Sequence, residues 1–531
     1  ILMHAGLATK TEQILGIMVI VLVLEATRRT TSLFVVGMLT AFLLYPVFSN
    51  HLPGPLRGPG HELSRLIGHM YLYEDGVFGI ILRVITTVVI PFMLFGQFLD
   101  VAGAGQFFVD VSYALMGRFR GGPGKIAVLA SASLGTITGS ASGNVATTGV
   151  ITIPLMKRVG YTPHFAGAVE AVASNGGALC PPIMGATAFI MSELTEIPYF
   201  QVCLAAAIPA GLYFLSVFLQ VDGEAATLGL KGLAKEEIPS VRAALAKGWI
   251  YLIPIVVLIY VLVVLKYAPV MCAFYSIAAL IIVSMFRRDT RMTPRKILRA
   301  LEQASRRLVG QIGIITGAGF IVGAVGLTGL GVRLSQTLIQ ISGGDIIVLL
   351  ILAAAANYVM GMGLPGAASY ILLAVLVAPA LEELGLPMIA AHMFIFYTAM
   401  WSHITPPVAP DCFVAAGIAE TDYFKLSIHA MKLAIIAYLV PFMFAFNHGL
   451  LLIGESQAVI ISIVRAMVAV FALAAGLEGY CYFLGKVNRG QRVLFLVSGI
   501  GLIAAGLMPN IVGLLAGSLA FIWGRMTLRT G

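Results

Sequence analysis

The sequence predicts an all-α polytopic membrane protein with an inverted-topology repeat and two oppositely oriented re-entrant hairpins. Three observations predict it: an extreme apolar composition, two apolar stretches interrupted at their centres, and a sparse internal match between the halves. Of the 531 residues, 59% are hydrophobic and only 11% are charged. A soluble chain of this length needs far more charge to cover its surface. Disorder is excluded too, because disordered chains are poor in apolar residues and rich in charge. At roughly 20 apolar residues per crossing, the chain can span a bilayer many times.

Apolar runs read as membrane segments at 13–26, 31–48, 78–100, 164–190, 199–220, 249–265, 269–286, 309–330, 389–418, 430–447 and 457–477, with a last pair near 493–507 and 510–523. Two more stretches, 126–156 and 346–381, are broken midway by Gly, Pro and small polar residues. Each gives two arms of about 15 residues, or roughly 22 Å at 1.5 Å per residue. That falls short of the ~30 Å hydrocarbon core. We read both stretches as hairpins that enter and leave on one side.

Charge placement orients them. Lys and Arg number 33 against 24 Asp and Glu. The densest basic cluster is Arg287, Arg288, Arg291, Arg295, Lys296, Arg299, Arg306 and Arg307, directly after an apolar run. That is how a cytoplasmic loop looks under the positive-inside rule, so no nucleic-acid partner is expected. Hairpin 126–156 is bracketed by Arg118, Arg120 and Lys125 and by Lys157 and Arg158, which makes both its ends cytoplasmic. Hairpin 346–381 is bracketed by Asp345 and by Glu382 and Glu383. Counting the crossings puts it outside and puts Arg28 and Arg29 inside.

The repeat follows from an offset of 225 residues. Val150 then falls on Val375, Pro154 on Pro379, Gly160 on Gly385, Ala166 on Ala391, and Pro181-Pro182 on Pro406-Pro407. Hairpin lies on hairpin and broken helix on broken helix. Related halves of opposite orientation are the architecture of secondary transporters.

The chemistry is expected at the breaks. The first hairpin turns at Gly139-Ser140-Ala141-Ser142-Gly143-Asn144, followed by Thr147 and Thr148; the second turns at Gly361-Met362-Gly363-Leu364-Pro365-Gly366, followed by Ser369. Gly and Pro free backbone carbonyls, and Ser, Thr and Asn add further oxygens. Hard cations such as sodium take ligands of this kind. Irregular backbone at membrane depth also needs something to replace its lost hydrogen bonds. The helix starting after each tip points its positive end at the tip, which suits a carboxylate. Tandem prolines should unwind the partner helices at Ser174–Pro182 and Ser402–Pro407. A tip facing an unwound helix in each half makes two oxygen-lined cation cages. Close helix packing is the competing explanation, since Gly135, Gly139 and Gly143 have small-xxx-small spacing. Glu170 and Asp411 are charged within apolar runs, and each needs a partner or water. Asp411 reads either as a ligand beside the second cage or as a solvated group in the cytoplasmic vestibule.

Enzyme chemistry finds no support. Gly124-Lys125 is followed by Ile126 and lacks the upstream Gly of a phosphate-binding loop. His61-Glu62 has Arg65 where a zinc-protease motif needs its second His, and Ala141 stands where a nucleophile elbow needs Ser. The five cysteines have no paired spacing, so neither disulfides nor a zinc site are expected. No cleavable signal peptide is visible, and the opening on Ile1 rather than Met leads us to expect further residues upstream.

The runs GSASGNVATTG, IPLMKRVGY, SNGGALCPP, GMGLPGAASY and ITPPVAPDCF resemble the large membrane subunit of tripartite ATP-independent periplasmic (TRAP) transporters. The likeness covers about 11–450 and is nearest to fused permeases of the TAXI subclass. It implies an elevator-type sodium symporter in the bacterial inner membrane that receives an organic anion from a periplasmic binding protein. A small membrane subunit, fused before Ile1 or separate, is the further partner, beside membrane lipids. By the same resemblance, one sodium would sit at the tip around Ser140, with Gly176 and Gly177. Another would sit at Gly363, Pro365 and Gly366 with Thr405. Together with the oxygen-rich breaks, the expected sodium ligands are Ser140, Ser142, Asn144, Gly176, Gly177, Pro181, Gly363, Pro365, Gly366, Thr405 and Pro407. Thr147, Thr148, Ser369 and Asp411 are the expected substrate contacts. No cofactor other than the coupling ions is expected.

The division that follows is 1–117 scaffold helices, 118–248 first transport repeat, 249–333 central scaffold and basic loop, 334–450 second repeat, and 451–531 extra membrane helices. Magnitudes favour coupling to more than one sodium ion. One charge crossing 100 mV is worth about 2.3 kcal/mol, which opposes entry of a lone carboxylate, and a tenfold sodium gradient adds roughly 1.4 kcal/mol per ion. The rival readings are a non-transporting scaffold subunit and, less well matched, an ion channel.

Overall fold

In the computed structural model of the chain, residues 8–31, 33–362, 364 and 366–530 are described. Their regular structure is helical apart from one short antiparallel ribbon, Tyr480–Cys481 with Gly485–Lys486. Among these residues, eight helical segments are long and apolar enough to cross a membrane: Leu33–His51, Ile80–Ala102, Tyr199–Thr227, Lys235–Val263, Pro294–Thr328, Tyr423–Phe446, Ser456–Glu478 and Leu507–Met526. Many large apolar side chains stay outward, among them Leu22, Phe274 and Ile460. Such surface is tolerated where lipid rather than water meets the protein.

The helices of the two broken stretches, the interrupted runs and the basic cluster are α1 (Gly122–Thr138), α2 (Ala141–Val159), α3 (Pro163–Gly177), α4 (Ala186–Thr195), α5 (Pro294–Thr328), α6 (Ile346–Gly361), α7 (Gly366–Leu376), α8 (Met388–Ala399), α9 (Pro410–Ala419) and α10 (Tyr423–Leu433). The sequence offset of 225 recurs in their boundaries. Ala141 and Gly366 each start a helix, as do Pro163 and Met388. The run 164–190 is two helices, α3 and α4, with irregular backbone between them; the run 389–418 is α8, a short 3-10 turn at Met400–His403, and α9. The peptide bonds Pro181-Pro182 and Pro406-Pro407 are cis.

One expectation is corrected. The basic cluster read as a loop is largely helical, because Arg295, Lys296, Arg299, Arg306 and Arg307 all lie within the 35 residues of α5. The Thr293 hydroxyl caps the start by accepting from the Lys296 N–H, and Glu302 pairs with Arg306 one turn on. At 1.5 Å per residue α5 is about 52 Å long, so it has length to spare for a solvated, basic first half.

The chain forms two compact units. The first comprises Ile1–Ala102, Ala186–Val202 and Val256–Ala399; the second comprises Gly103–Gly185, Cys203–Ile255 and Met400–Gly531. In the first unit, α5 packs against helices Lys10–Thr30, Leu33–Phe48 and Ile90–Ala102 and against α7. There α6 and α7 form a helical hairpin, and both arms lie on α8.

In the second unit, α1 and α2 form a hairpin on α3, and α9 and α10 also pack on α3. The C-terminal helices Ser456–Glu478, Arg489–Ile503 and Leu507–Thr530 pack on one another. Charged contacts tie them to the same unit: Lys432 to Glu478 at 2.8 Å, and Arg120 to the Tyr480 hydroxyl at 2.7 Å. Arg120 also meets Asp222, which accepts from Lys125 at 2.6 Å.

Candidate functional site

The first hairpin turns because Gly139 ends α1 with φ at +62°, in the left-handed region. A Cβ there would come within 2.3 Å of the Met184 carbonyl oxygen, so only glycine fits. Ser140 then caps α2, its hydroxyl accepting from the Gly143 N–H at 3.3 Å. Two residues on, the Ser142 hydroxyl donates to Asp411.

Asp411 sits in the first turn of α9 with no exposed surface. Its other oxygen accepts from Asn175 Nδ2 at 3.2 Å, and His403 Nδ1 stands 3.7 Å away. Asn175 also donates to the Met400 carbonyl at 3.3 Å. Asp411 was expected beside the second cage, yet it faces the first tip, because α9 packs on α2 and α3.

Carbonyl oxygens converge at the unwound stretch. Thr136 Oγ1 lies 2.5 Å from both the Cys180 and the Pro181 carbonyl oxygens. A hydroxyl has one hydrogen and cannot serve both well, so three oxygens crowd one point at the Pro181 break. Gly176 and Gly177 end α3 nearby, and their carbonyls accept from the Leu179 and Cys180 N–H groups. Packing by itself explains both glycines. A Cβ on Gly176 would strike the Tyr213 ring at 2.3 Å, and one on Gly177 would lie 2.7 Å from Gly135 Cα.

Asn144 is buried and donates to the Ser131 carbonyl at 2.7 Å. Thr147 is half-buried, with its hydroxyl on the Gly143 carbonyl at 2.9 Å. Thr148 points instead into a group of hydroxyls around Glu170.

The residues expected at the second cage are divided. Gly363 and Pro365 lie outside the described residues. Gly366, in the first unit, is buried and opens α7; the buried Ser369 donates to Asn357 Oδ1 at 2.8 Å. Asn357 in turn donates to the Ile395 carbonyl at 2.6 Å and to Thr398 Oγ1 at 2.7 Å. Thr405 is in the second unit, where its hydroxyl donates to the Trp401 carbonyl at 2.6 Å and meets the Tyr438 hydroxyl at 2.5 Å. The Pro407 carbonyl accepts from the Tyr423 hydroxyl at 3.0 Å.

Sequence reasoning therefore gathers Ser140, Ser142, Asn144, Gly176, Gly177 and Pro181 into one neighbourhood. It misses Thr136, Ser131 and His403. Asn175 lies in the run SNGGALCPP, where the sequence alone gives it no role. The signal for Asn175 was its position directly before the two glycines that end the helix. For Thr136 and Ser131 there is none, since nothing in the arm sets them apart from Ser133 and Thr138.

Helical hairpins, interrupted helices and buried oxygen clusters beside those interruptions define a polytopic membrane protein of the transporter class. More particularly, the chain belongs to the tripartite ATP-independent periplasmic transporter family, DctM component, whose profile matches residues 18–459. A putative TRAP transporter large permease of Haemophilus influenzae is 22% identical over 62% of this chain and 77% of its own length. The 2,3-diketo-L-gulonate TRAP transporter large permease of Escherichia coli is 21% identical over 68% and 84%. The C4-dicarboxylate TRAP transporter large permease of Pseudomonas aeruginosa is 30% identical over 26% and 32%.

Among solved structures, the Alcanivorax borkumensis YdaH transporter shares the fold with a TM-score of 0.50. It is 17% identical and covers 76% of this chain and 96% of its own. These three relatives are transport permeases, and the chain is a permease rather than an enzyme. Large permeases of this family work with a substrate-binding protein and a small membrane subunit.

Proposed function

We propose that the chain is the permease of a sodium-coupled uptake system for a small carboxylate, delivered by a periplasmic binding protein to the bacterial inner membrane. The observation that carries this reading is the first hairpin tip, where Ser142 and Asn175 converge on the fully buried Asp411. The Asp411 carboxylate and the Ser142 hydroxyl oxygen at a helix break are hard oxygens of the kind sodium takes, and Asn175 holds the carboxylate in place through its N–H. A negative group at the tip attracts a cation and repels an anion, so Asp411 belongs to the ion rather than to the substrate.

Thr147, which keeps some exposure, is the hydroxyl offered to the anion; Thr148 and Ser369 are engaged by Glu170 and Asn357. Thr136 with the Cys180 and Pro181 carbonyls supplies further oxygens, and Thr405 serves the second ion. The two hairpins act as oppositely directed halves of an inverted repeat, moving as an elevator. The relatives' names support the substrate class, since C4-dicarboxylate and 2,3-diketo-L-gulonate are both carboxylates. Membership of the TAXI subclass and a small subunit fused upstream complete the reading. An isethionate TRAP permease described as DctMQ, 53% of whose length aligns here, gives fusion a precedent.

The test uses purified permease with its small subunit in vesicles, the binding protein outside, and a labelled C4-dicarboxylate or monocarboxylate as probe. Uptake that requires both the binding protein and an inward sodium gradient is expected. Uptake with neither sodium nor any ion gradient would overturn the symport reading. No flux for any probe, with binding protein docked, would favour a scaffold.

A further inference from the structure

Glu170, midway along α3, has no exposed surface. Its carboxyl group meets Ser131 Oγ at 2.6 Å, Thr152 Oγ1 at 2.5 Å, Ser174 Oγ at 3.2 Å and, in a shorter contact, Thr148 Oγ1. These hydroxyls come from α1, α2 and α3, and all four are neutral. Gly149 leaves room for the acid, since a Cβ there would lie 3.2 Å from Glu170 Cγ.

The ionisable groups on the helices packed against α3 are engaged elsewhere or exposed. On α1, Lys125 is bonded to Asp222 of helix Tyr199–Thr227, and that helix meets α3 through Tyr213, whose hydroxyl donates to the Val172 carbonyl at 2.7 Å. On α2, Lys157 donates to the Ala419 carbonyl and pairs with Glu420, and Arg158 pairs with Glu237. On α9, Asp411 is held by Ser142 and Asn175, and Cys412 lies on the Ile404 carbonyl. On α10, Lys432 pairs with Glu478, Tyr423 donates to the Pro407 carbonyl, His429 stands against His164 of α3, and Lys425 is exposed. A buried carboxyl surrounded by hydroxyls alone has nothing to balance a permanent charge.

The fold does not require this cage. At the offset of 225 residues, Glu170 falls on Ile395, Ser131 on Ala356, Thr148 on Leu373, Thr152 on Val377 and Ser174 on Ala399. Helices α6, α7 and α8, with Val377 directly after α7, thus carry apolar side chains at all five places. Polar groups at the α1, α2 and α3 positions are there for another reason.

Hydrogen bookkeeping shows what the cage can do. Thr148 Oγ1 reaches the Asn144 carbonyl at 2.8 Å as well as Glu170. With Glu170 neutral, its O–H donates to Thr148, and Thr148 gives its own hydrogen to the Asn144 carbonyl. With Glu170 ionised, Thr148 turns that hydrogen onto the carboxylate. Thr152 donates to the other carboxyl oxygen in either state. Each hydroxyl carries one hydrogen and two acceptor pairs, so both states are satisfied without moving a heavy atom. The hydrogen that moves leaves Asn144, a residue of the hairpin tip.

We propose that Glu170 takes up and releases a proton inside this hydroxyl cage, a coupling site separate from the cation tips. The proposal rests on the transport reading only for what the proton is coupled to. Infrared difference spectroscopy of the protein reconstituted in lipid, stepped in pH without sodium or substrate, tests it independently of transport. A carbonyl-stretch band of a protonated carboxylic acid should appear as pH falls and vanish as it rises. The band should be lost in Glu170→Gln and kept in Asp411→Asn.

Should Glu170→Gln not assemble, Thr152→Val serves instead. It removes a donor to the carboxylate, so the band should persist to higher pH, with Thr152→Ser restoring the original midpoint. A band unchanged by Glu170→Gln, a midpoint unmoved by Thr152→Val, or a wild-type band that never titrates would each overturn the proposal.

Discussion

Around the first hairpin, α1, α2 and α3 enclose Glu170 with four hydroxyls, and Asn175 and Ser142 reach Asp411. Around the second, α6, α7 and α8 enclose a smaller network of Asn357, Ser369 and Thr398. Two pairs of helix starts agree at one offset, while the polar content of the two triplets differs. A break at membrane depth therefore does not by itself demand a carboxylate. The carboxylates beside the first break are what the proposed ion and proton sites rest on.

The comparison breaks most visibly at Asp411. Asp411→Ala removes the acceptor of both Ser142 and Asn175. With hydrogen bonds to a charged group worth roughly 1.5–3 kcal/mol each, sodium-dependent uptake should fall by about a hundredfold or more. Asp411→Asn, which keeps the shape, should mainly raise the sodium concentration for half-maximal uptake. Vesicle uptake as a function of sodium reads both, and a sodium dependence unchanged in Asp411→Asn would remove the first site.

Packing rather than ion binding is tested next. Gly135→Ala should clash with Gly177, where the added Cβ would sit 2.7 Å from Cα. A cost of about 1–3 kcal/mol is expected from such overpacking, seen as a lower thermal midpoint in detergent. Unaltered stability would mean that the α1–α3 contact is looser than the geometry says.

Thr405→Ala should give a partial effect of about 1–2 kcal/mol, or roughly 5–30-fold in the sodium requirement, because carbonyls would supply the rest of that cage. The smallest effects separate the two hairpins. Ser140→Ala loses a helix cap worth about 1 kcal/mol and should also weaken sodium dependence. Ser369→Ala loses one buried hydrogen bond, again about 1 kcal/mol, and should lower stability with sodium dependence intact. If Ser369→Ala shifts the sodium curve more than Ser140→Ala does, the assignment of the chemistry to the first hairpin is reversed.

Much of the scaffold was legible in the sequence, because helices facing lipid must be apolar for their whole length and the breaks announce themselves through Gly139, Pro181-Pro182 and Pro406-Pro407. The basic cluster misled, since charge placement reports the side of the membrane and not the backbone conformation; a capped helix satisfies it as well as a loop does. Glu170 was recognisable as a charge in need of a partner. Its partners Ser131 and Thr152 were not, because they lie on other helices and meet it only through packing. Asp411 illustrates the same limit. Its neighbours in sequence belong to the second half, while its neighbours in space belong to the first tip.

The claim that the two hairpins are opposed halves of one repeat is tested most directly by one-sided labelling. Arg158→Cys and Glu383→Cys place thiols at the bases of the two hairpins, and the five natural cysteines are buried or half-buried, which keeps the background low. With a membrane-impermeant maleimide, the thiol of Glu383→Cys should react in intact cells. That of Arg158→Cys should react only once the cytoplasmic face is opened. Labelling of both from the same side would contradict the inverted arrangement.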